Sequence, residues 1–302
     1  MTVGVVVMAY GTPASRDDIE RYYTDIRRGR PPAPEQLAEL TARYDAIGGT
    51  FPLRAITERQ VGALERHLGE RFTVALGTKH GSPTIEDAVA TAAGNGATRL
   101  VGLVLAPHYS AASVGAYARR LTDAARAHGI DDAETIESWH LLPEYLEFLA
   151  KAVVDAQSTL PEGVQRDADV VFTAHSLPEK AVEADDPYAD QVRATAESVA
   201  ALADLFRWST AWQSAGRTND TWLGPDVLDL MRVRAEEGAV GIVVCACGFV
   251  ADHLEVAYDL DVEAKALADE LGLPFARTRS LDDDDTVLAA LARLVRSRAA
   301  HR

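Results

Sequence analysis

The sequence is 302 residues long, which suits two domains or one large α/β domain with a well-buried core. Its apolar content of 47%, with 25% charged residues, is that of a folded globular protein and excludes a disordered chain. The net charge of -16 excludes a general nucleic-acid or anionic-membrane binder, whose surface would have to neutralise phosphates.

Cysteine usage and the N-terminal sequence indicate a cytoplasmic protein. Cys245 and Cys247 are separated by one residue on a predicted strand, so their side chains point to opposite faces and do not favour a disulfide. The N-terminus has no basic segment followed by an apolar core, and no apolar run approaches the roughly 18 residues of a spanning helix. These features predict a reducing compartment and no stable membrane insertion. For a chain of this size we expect a monomer.

Short apolar runs alternate with longer helical patterns along the chain, as in parallel strands joined by crossover helices. The predicted strands are residues 3–8, 72–76 and 100–105 in the first half and residues 169–173, 208–213 and 239–245 in the second. Because these runs are continuous rather than alternating, helices should cover both faces of each sheet. The sequence therefore predicts an α/β fold.

Two of the predicted helices have clear boundary signals. Ser82 followed by Pro83 predicts an N-cap and first turn for a helix running to about Ala93. Another helical pattern, over residues 252–271, stops at Gly272, a residue type that favours helix C-termini.

Polar ring side chains follow three of the predicted strands within a few residues. They are Tyr10, His108 and His175, and a loop also follows the strand that contains Cys245. Ligands of open parallel sheets bind beyond the carboxyl ends of the strands. We therefore expect these side chains and this loop to converge on one crevice.

The most unusual stretch follows the two cysteines. If it is helical, Glu255, Asp259 and Glu263 recur every fourth residue along one side and span about 12 Å. Like charges at this spacing repel, and most neighbouring positions are apolar, so the acids are expected to line a cleft. A polar stripe on an amphipathic helix is the alternative. Two possible partners for the acids, His175 and His253, favour the cleft. The alternative interpretation of His253 is a capping or supporting residue.

These residue types narrow the chemistry. No phosphate-loop, GxGxxG or GxSxG motif is present, and no CxxC or HExxH, so nucleotide, serine-hydrolase and closed zinc sites lose their usual support. Imidazole and carboxylate side chains instead suit divalent Fe, Co, Ni or Zn in an open site. Arg27, Arg28 and Arg30 cluster within an acidic chain and favour a carboxylate-bearing ligand, because guanidinium pairs well with carboxylates.

Eight segments resemble signature segments of the ferrochelatase family and run in order through nearly the whole chain. They are MAYGTP at residues 8–13, RYYTDIRRGRPP at 21–32, RYDAIGG at 43–49, LAPHYS at 105–110, TAHSLP at 173–178, DPYADQ at 186–191, WQSAGRTNDTWLGPDV at 212–227 and GFVADHLEVAYDLDVE at 248–263. The N-terminal segments most resemble the coproporphyrin ferrochelatases of monoderm bacteria. The resemblance implies two Rossmann-like lobes, each a parallel sheet flanked by helices, with a porphyrin cleft between them. We expect the lobes at residues 1–142 and 143–275, and a last helix within residues 276–302 that packs back on the first lobe.

The resemblance also implies a reaction, a lyase-class insertion of Fe(II) into coproporphyrin III that gives Fe-coproporphyrin in haem biosynthesis. His175 and Glu255 match the catalytic pair that faces across the family's cleft. The implied metal ligands are His175, Glu255, Asp259 and Glu263. The implied porphyrin contacts are Tyr10, Arg27, Arg43, Tyr44 and Tyr117. A transient contact with the downstream haem-pathway enzyme is also expected.

Metallation removes two pyrrole protons, and a neutral His175 with an ordinary pKa of about 6.5 is suited to accept one. Fe(II) is expected as the substrate metal. The two cysteines cannot supply the four thiolates of the 2Fe–2S cluster found in some ferrochelatases, so no cluster is expected.

Three other functions remain open from the sequence. Protoporphyrin IX is the alternative substrate, and a cobalt chelatase acting on a reduced tetrapyrrole would share the fold. A non-catalytic haem-binding or haem-delivery protein would use Tyr10 or His175 as an axial ligand and would need no row of acids.

Overall fold

Two parallel sheets of four strands each form the framework in a computed structural model that describes residues 2–182, 185–216 and 218–300. The first sheet, in the order β2-β1-β3-β4, contains β1 Thr2–Ala9, β2 Phe72–Thr78, β3 Ala97–Val104 and β4 Ala133–Ile136. The second, in the order β6-β5-β7-β8, contains β5 Asp169–His175, β6 Trp208–Gln213, β7 Ile242–Cys245 and β8 Phe275–Arg277. All neighbouring strands are parallel. Met1 and residues 301–302, at the ends of the predicted domains, lie outside the described residues.

The six predicted strands are all present, with ends that differ by a few residues. The prediction for residues 208–213 matches β6 at both ends. The two strands that the sequence did not predict are β4, with four residues, and β8, with three. Both are edge strands, and each is too short to form a recognisable apolar run.

Helices connect the strands and flank both sheets. They are α1 Ile19–Ile26, α2 Pro34–Ala46, α3 Pro52–Leu68, α4 Ile85–Gly94, α5 Val114–Ala127, α6 Pro143–Ser158, α7 Tyr188–Leu202, α8 Val227–Glu236, α9 Leu254–Val256, α10 Lys265–Leu271 and α11 Asp285–Ala300. The predicted architecture of two lobes, each a parallel sheet flanked by helices, is therefore confirmed. No helix within the described residues combines the length and the apolarity needed to cross a bilayer.

The N-cap predicted at Ser82 is wrong, because Thr84 caps α4 instead. Thr84 Oγ1 accepts a hydrogen bond from the backbone N of Asp87 at 3.1 Å, and Asp87 Oδ2 accepts one from the backbone N of Thr84 at 2.9 Å. These reciprocal bonds form a capping box, which satisfies two backbone donors at once.

Residues 254–271 form one continuous helical stretch, as predicted, but its middle is not α-helical. Between α9 and α10 lies a π-helical segment, Ala257–Ala264, which we call the π segment. π-helices are rare, are mostly limited to a single turn and are frequent at functional sites. Gly272 follows α10 in the left-handed conformation, at φ 69°, as its predicted role as a C-terminal glycine requires.

A single apolar core connects the two sheets. It includes Val5 of β1, Phe172 of β5 and Leu288 of α11, all fully buried. α11 packs against α3 and also contacts β3, so this helix covers elements of the first sheet. Because close packing spans both sheets, their relative position is fixed. The lobe boundaries at residues 142 and 275 stay predictions.

Candidate active site

His175 is the last residue of β5, and its side chain is 36% exposed. Its Nδ1 donates to the backbone oxygen of Ser176 at 2.5 Å, and the hydroxyl of Tyr188 donates to the backbone oxygen of His175 at 3.0 Å. Because a carbonyl oxygen can only accept, Nδ1 carries a hydrogen, and in the neutral ring Nε2 has the free lone pair. Nε2 is therefore the atom that can bind a metal ion or take up a proton.

Glu255, in α9, lies between two imidazole rings. Its Oε1 is 3.6 Å from Nε2 of His175, and its Oε2 is 3.6 Å from Nε2 of His253. The interpretation of His253 as a capping residue is confirmed, since its Nδ1 accepts from the backbone N of Val256 at 3.4 Å. The structure thus brings together the imidazole and the carboxylate that the sequence pairs.

Charge and burial act in opposite directions on this pair. Burial lowers the pKa of His175, but the charge of Glu255 and hydrogen bonding to Glu255 and Ser176 raise that pKa to about 9. Burial raises the pKa of Glu255, while the charge of His175, followed by those of His253 and Arg43, lowers it to about 2. Both shifts favour an imidazolium beside a carboxylate. The expectation of a neutral His175 is therefore corrected, because the adjacent carboxylate stabilises its proton.

Asp259 lies in the π segment and is 7% exposed. Its Oδ2 accepts a hydrogen bond from Ser214 Oγ at 2.5 Å and another from Gln213 Nε2 at 3.4 Å. Burial raises the pKa of Asp259 to about 6; the Ser214 hydrogen bond opposes this shift, and the charges of Glu255 and Glu263 add to it. This carboxyl group can therefore gain or lose a proton near neutral pH.

Asp259 and Glu263 line an open cleft together with Arg43. Arg43 extends from α2, with its Cζ atom 4.9 Å from the centre of the Tyr258 ring and Nη2 3.4 Å from Glu39 Oε1. Its charge lowers the pKa of Glu255 and of Asp259. Arg43 is thus a counter-charge to the acids, and its role as a porphyrin contact stays a prediction.

The four predicted metal ligands form a row and not a cage. His175 and Glu255 are in contact, whereas Asp259 and Glu263 follow along the π segment. Within the part of the chain that the structure describes, no three His, Cys, Asp or Glu side chains form a group that could hold a metal ion. The assignment of these four residues to a metal stays a prediction.

Tyr10 follows β1 and is 43% exposed. Its ring makes an edge contact with His80, with centroids 4.9 Å apart. Lys79 Nζ lies 5.9 Å from the centre of the Tyr10 ring and 5.4 Å from that of Tyr117, which is buried. Burial raises the pKa of Tyr10, and the charge of Glu255 adds to that shift. The charge of Glu255 thus influences Tyr10, whose role as a porphyrin contact stays a prediction.

The remaining predicted porphyrin contacts differ in how available they are. Arg27 has its Cζ atom 5.7 Å from the centre of the Tyr23 ring, and its Nε is a buried donor without a hydrogen-bond partner. Tyr44 is 4% exposed, and its ring stacks on Phe51 at a centroid distance of 4.5 Å. Arg27 thus retains a free donor, whereas Phe51 covers one face of the Tyr44 ring.

His108 does not join the crevice, contrary to expectation. It is 3% exposed, and its Nε2 lies 2.9 Å from Thr195 Oγ1. The Thr195 hydroxyl also contacts backbone oxygens of His140 and Gln191, so this histidine belongs to the packing around α7. The side chain of His108, which follows β3, points into the protein interior. The position of a residue after a strand does not reveal this direction.

Sequence reasoning missed Lys79, Gln213 and Ser214. Lys79 directly follows β2, while Gln213 ends β6 and Ser214 follows it. The rule that ligands bind beyond carboxyl strand ends would have found all three if it had been applied to every strand and not only to those followed by rings.

Comparison with known proteins places this geometry in context. The family model described as Ferrochelatase matches residues 2–299. The chain is 45% identical to the coproporphyrin III ferrochelatase of Geobacillus kaustophilus, with 98% of this chain and 96% of that protein covered. It is 44% identical to the coproporphyrin III ferrochelatase of Bacillus subtilis, with 97% and 96% covered. The solved structure of SirB from Bacillus subtilis with Fe3+ superimposes with a TM-score of 0.62 at 12% identity, covering 99% of this chain and 96% of that one, which supports the fold.

Proposed function

The chain belongs to the ferrochelatase family, and we propose that it inserts Fe(II) into coproporphyrin III to give Fe-coproporphyrin, a lyase-class step of haem biosynthesis. The observation that carries this proposal is the 3.6 Å approach of His175 Nε2 to Glu255 Oε1, beside a row of further carboxylates. The names of the relatives at 45% and 44% identity support coproporphyrin III as the substrate.

Metallation exchanges two pyrrole protons for one Fe(II), so charge is conserved and the site must accept protons while it admits a cation. Glu255 keeps His175 protonated before the metal arrives, because its charge raises the pKa of the imidazole. A divalent cation approaching Glu255 disfavours the imidazolium and releases its proton. The proton of His175 leaves through the row of acids, and His175 Nε2 then has the lone pair that takes up the two pyrrole protons one after the other, each of which leaves by the same row.

The row of acids provides a path to that pair. Asp259 and Glu263 line the cleft, and the pKa of Asp259, about 6, lets its carboxyl group exchange protons near neutral pH. Carboxylates in a row lower the energy of a cation moving past them, whether Fe(II) inward or protons outward. We assign Asp259 and Glu263 to this transfer, and His175 and Glu255 to the metal centre.

Tyr10, Arg27, Arg43, Tyr44 and Tyr117 are proposed to surround the porphyrin. Arg27 offers its guanidinium group to a propionate, and the exposed ring of Tyr10 faces the macrocycle. Tyr44 and Tyr117 are buried, so we assign them to shaping the wall behind it. The enzyme is further proposed to act as a cytoplasmic monomer that contacts the downstream haem-pathway enzyme transiently.

The substrate is tested by mixing protein, porphyrin and Fe(II) without oxygen and following the visible spectrum. We expect turnover of the four-propionate coproporphyrin III to exceed that of the two-propionate protoporphyrin IX, since more carboxylates are available to the basic side chains. Faster turnover of protoporphyrin IX would transfer the assignment to that substrate. Binding of the finished haem without any metallation would favour the delivery protein.

The pH dependence of iron use depends on Asp259. Its carboxyl group is protonated below about pH 6 and then attracts a cation less, so kcat/KM for Fe(II) should fall as the pH drops through that value. Ser214→Ala removes a hydrogen bond that stabilises the carboxylate, which raises the pKa of Asp259 and should move the acid midpoint up by about one pH unit. Ser198→Ala, which removes a hydroxyl bonded to Ala194 on α7, is the matched control. An unchanged or lower midpoint in Ser214→Ala would contradict the assignment.

A further inference from the structure

Arg277, the last residue of β8, holds two carboxylates at once. Its Nε and Nη2 donate to the two oxygens of Asp261 at 2.6 and 2.9 Å. Its Nη1 and Nη2 donate to the two oxygens of Asp252 at 3.2 and 3.4 Å. The Arg277 side chain is only 17% exposed, so these ion pairs are less screened by water than ordinary surface pairs.

The two carboxylates lie at structurally informative places. Asp252 directly precedes His253, the cap of α9, and Asp261 lies in the π segment between Asp259 and Glu263. Arg277 thus connects the residue before the His253–Glu255 turn with the middle of the row of acids. It makes these contacts without itself touching His175 or Glu255.

Asp252 is also held by neighbouring groups. Its Oδ1 accepts from Ser280 Oγ at 2.6 Å, and its backbone N donates to Asp282 Oδ1 at 2.9 Å. The start of the helical stretch is therefore anchored to the segment that follows β8. Arg277 extends that anchorage to the π segment, which Ser214 and Gln213 hold separately through Asp259.

A π-helix needs such support because its register is rarely stable over more than one turn. A change of register by one residue would rotate the following side chains by about 100° around the helix axis, which would turn Asp259 and Glu263 away from the cleft. Loss of Arg277 would also leave Asp252 and Asp261 as nearby like charges, which would push the turn and the π segment apart.

We propose that Arg277 is a positioning residue for metallation, which fixes the His253–Glu255 turn relative to the π segment so that Glu255 stays beside His175 while Asp259 and Glu263 face the cleft. This inference rests on the proposed function. It assigns to β8, a strand outside the cleft, control of the metal side of the site. Porphyrin binding, which we assign to the first lobe, meets the π segment where Arg43 contacts Tyr258, so its KM should stay nearly unchanged.

The test compares Arg277→Met with Arg232→Met. Arg232 is the matched control, an exposed arginine whose Nη1 pairs with Asp229 at 2.9 Å on α8. We expect Arg277→Met to raise KM for Fe(II) by about 10- to 100-fold, as supporting residues of metal sites do, with KM for the porphyrin unchanged. Arg277→Lys should recover part of the loss, because an ammonium group holds one carboxylate but cannot fork between two. A KM for Fe(II) within twofold of the control, or an equal rise in both KM values, would overturn the proposal.

Amide hydrogen exchange tests the same inference without activity. Amides of residues 254–264 should exchange about tenfold faster in Arg277→Met than in Arg232→Met, while amides of β5 stay protected. If Arg277→Met does not fold, Asp261→Asn provides the test. It weakens the ion pair between Arg277 and the π segment at a side chain that is 46% exposed, and it should also speed amide exchange in residues 254–264. Unchanged exchange in the folded variants overturns the positioning role. Absence of metallation in the unmodified protein would instead overturn the proposed function, and hydrogen exchange would still decide the role of Arg277.

Discussion

Replacing Glu255 by Gln is expected to slow iron insertion by about 10³-fold and to leave porphyrin and haem binding intact. The amide has nearly the shape of the carboxylate but no charge, so it neither attracts Fe(II) nor stabilises the proton on His175. The pKa of His175 should consequently fall from about 9, because the charge of Glu255 is what raises it against burial. Single-turnover spectra recorded without oxygen measure the rate, and quenching of porphyrin fluorescence measures binding.

Glu237→Gln is the matched control for this variant. Glu237 pairs with Arg234 Nη1 at 2.7 Å on the surface of the second lobe, and its side chain is 57% exposed. It should metallate at the unmodified rate. A haem-delivery protein predicts no difference between the two variants, whereas a ferrochelatase predicts a large one. Normal metallation by Glu255→Gln would refute the mechanism proposed for the His175–Glu255 pair.

Gly248→Ala should reduce kcat by about 100-fold through geometry alone. Gly248 follows β7, and its backbone N donates to the oxygen of Thr173 at 2.9 Å. A Cβ atom at this position would lie 2.5 Å from Cβ and 2.7 Å from Cα of Ala174. Since Ala174 precedes His175, the added methyl must push β5 and the loop that leads to Glu255 apart. The same strain should lower the free energy of unfolding by about 1–3 kcal/mol.

Gly94→Ala separates this effect from the general effect of replacing a glycine. Gly94 ends α4, and an added Cβ would meet no atom within 4 Å. Its stability should change by less than about 0.5 kcal/mol, and its activity should not change. Urea unfolding followed by far-UV circular dichroism gives the first quantity and the iron-insertion assay the second. Activity of Gly248→Ala within threefold of normal would show that β5 and the loop that leads to Glu255 can separate without loss of function.

The framework could be predicted because buried parallel strands leave a clear signal. Residues 5–9 of β1 form an unbroken apolar run, which requires cover on both faces, and the observed sheets have that cover. β4 and β8 left no such signal because of their length. The π segment was also hidden, since its apolar spacing is similar to that of an α-helix. Arg277 has no sequence signal of its own, and its positioning role was recognised only from its ion pairs with Asp252 and Asp261 in the folded chain.

The candidate site could be predicted for residues whose position along a strand decides whether their side chain reaches the site. His175 ends β5 and meets Glu255, as its position at the carboxyl end of a strand and the spacing of the acids suggested. His108 also follows a strand but turns inward, a choice that depends on its partner on α7. Ser214 donates a hydrogen bond to Asp259 from a turn in which its φ is 60°. A serine in the sequence does not predict this backbone conformation. The ionisation of His175 depends on a distance of a few ångströms, and such distances come only from the folded chain.

The placement of α11 has a consequence for how this protein is made. Val287, Leu291 and Val295 of this helix fill the same core as Leu64 of α3 and Leu103 of β3. α3 and β3 are synthesised long before residues 285–300. The apolar surface of the first sheet therefore stays uncovered while the second lobe is translated. Nascent chains of this protein should therefore bind holdase chaperones until synthesis passes residue 300, and release from them, not closure of the first sheet, should limit the appearance of active enzyme.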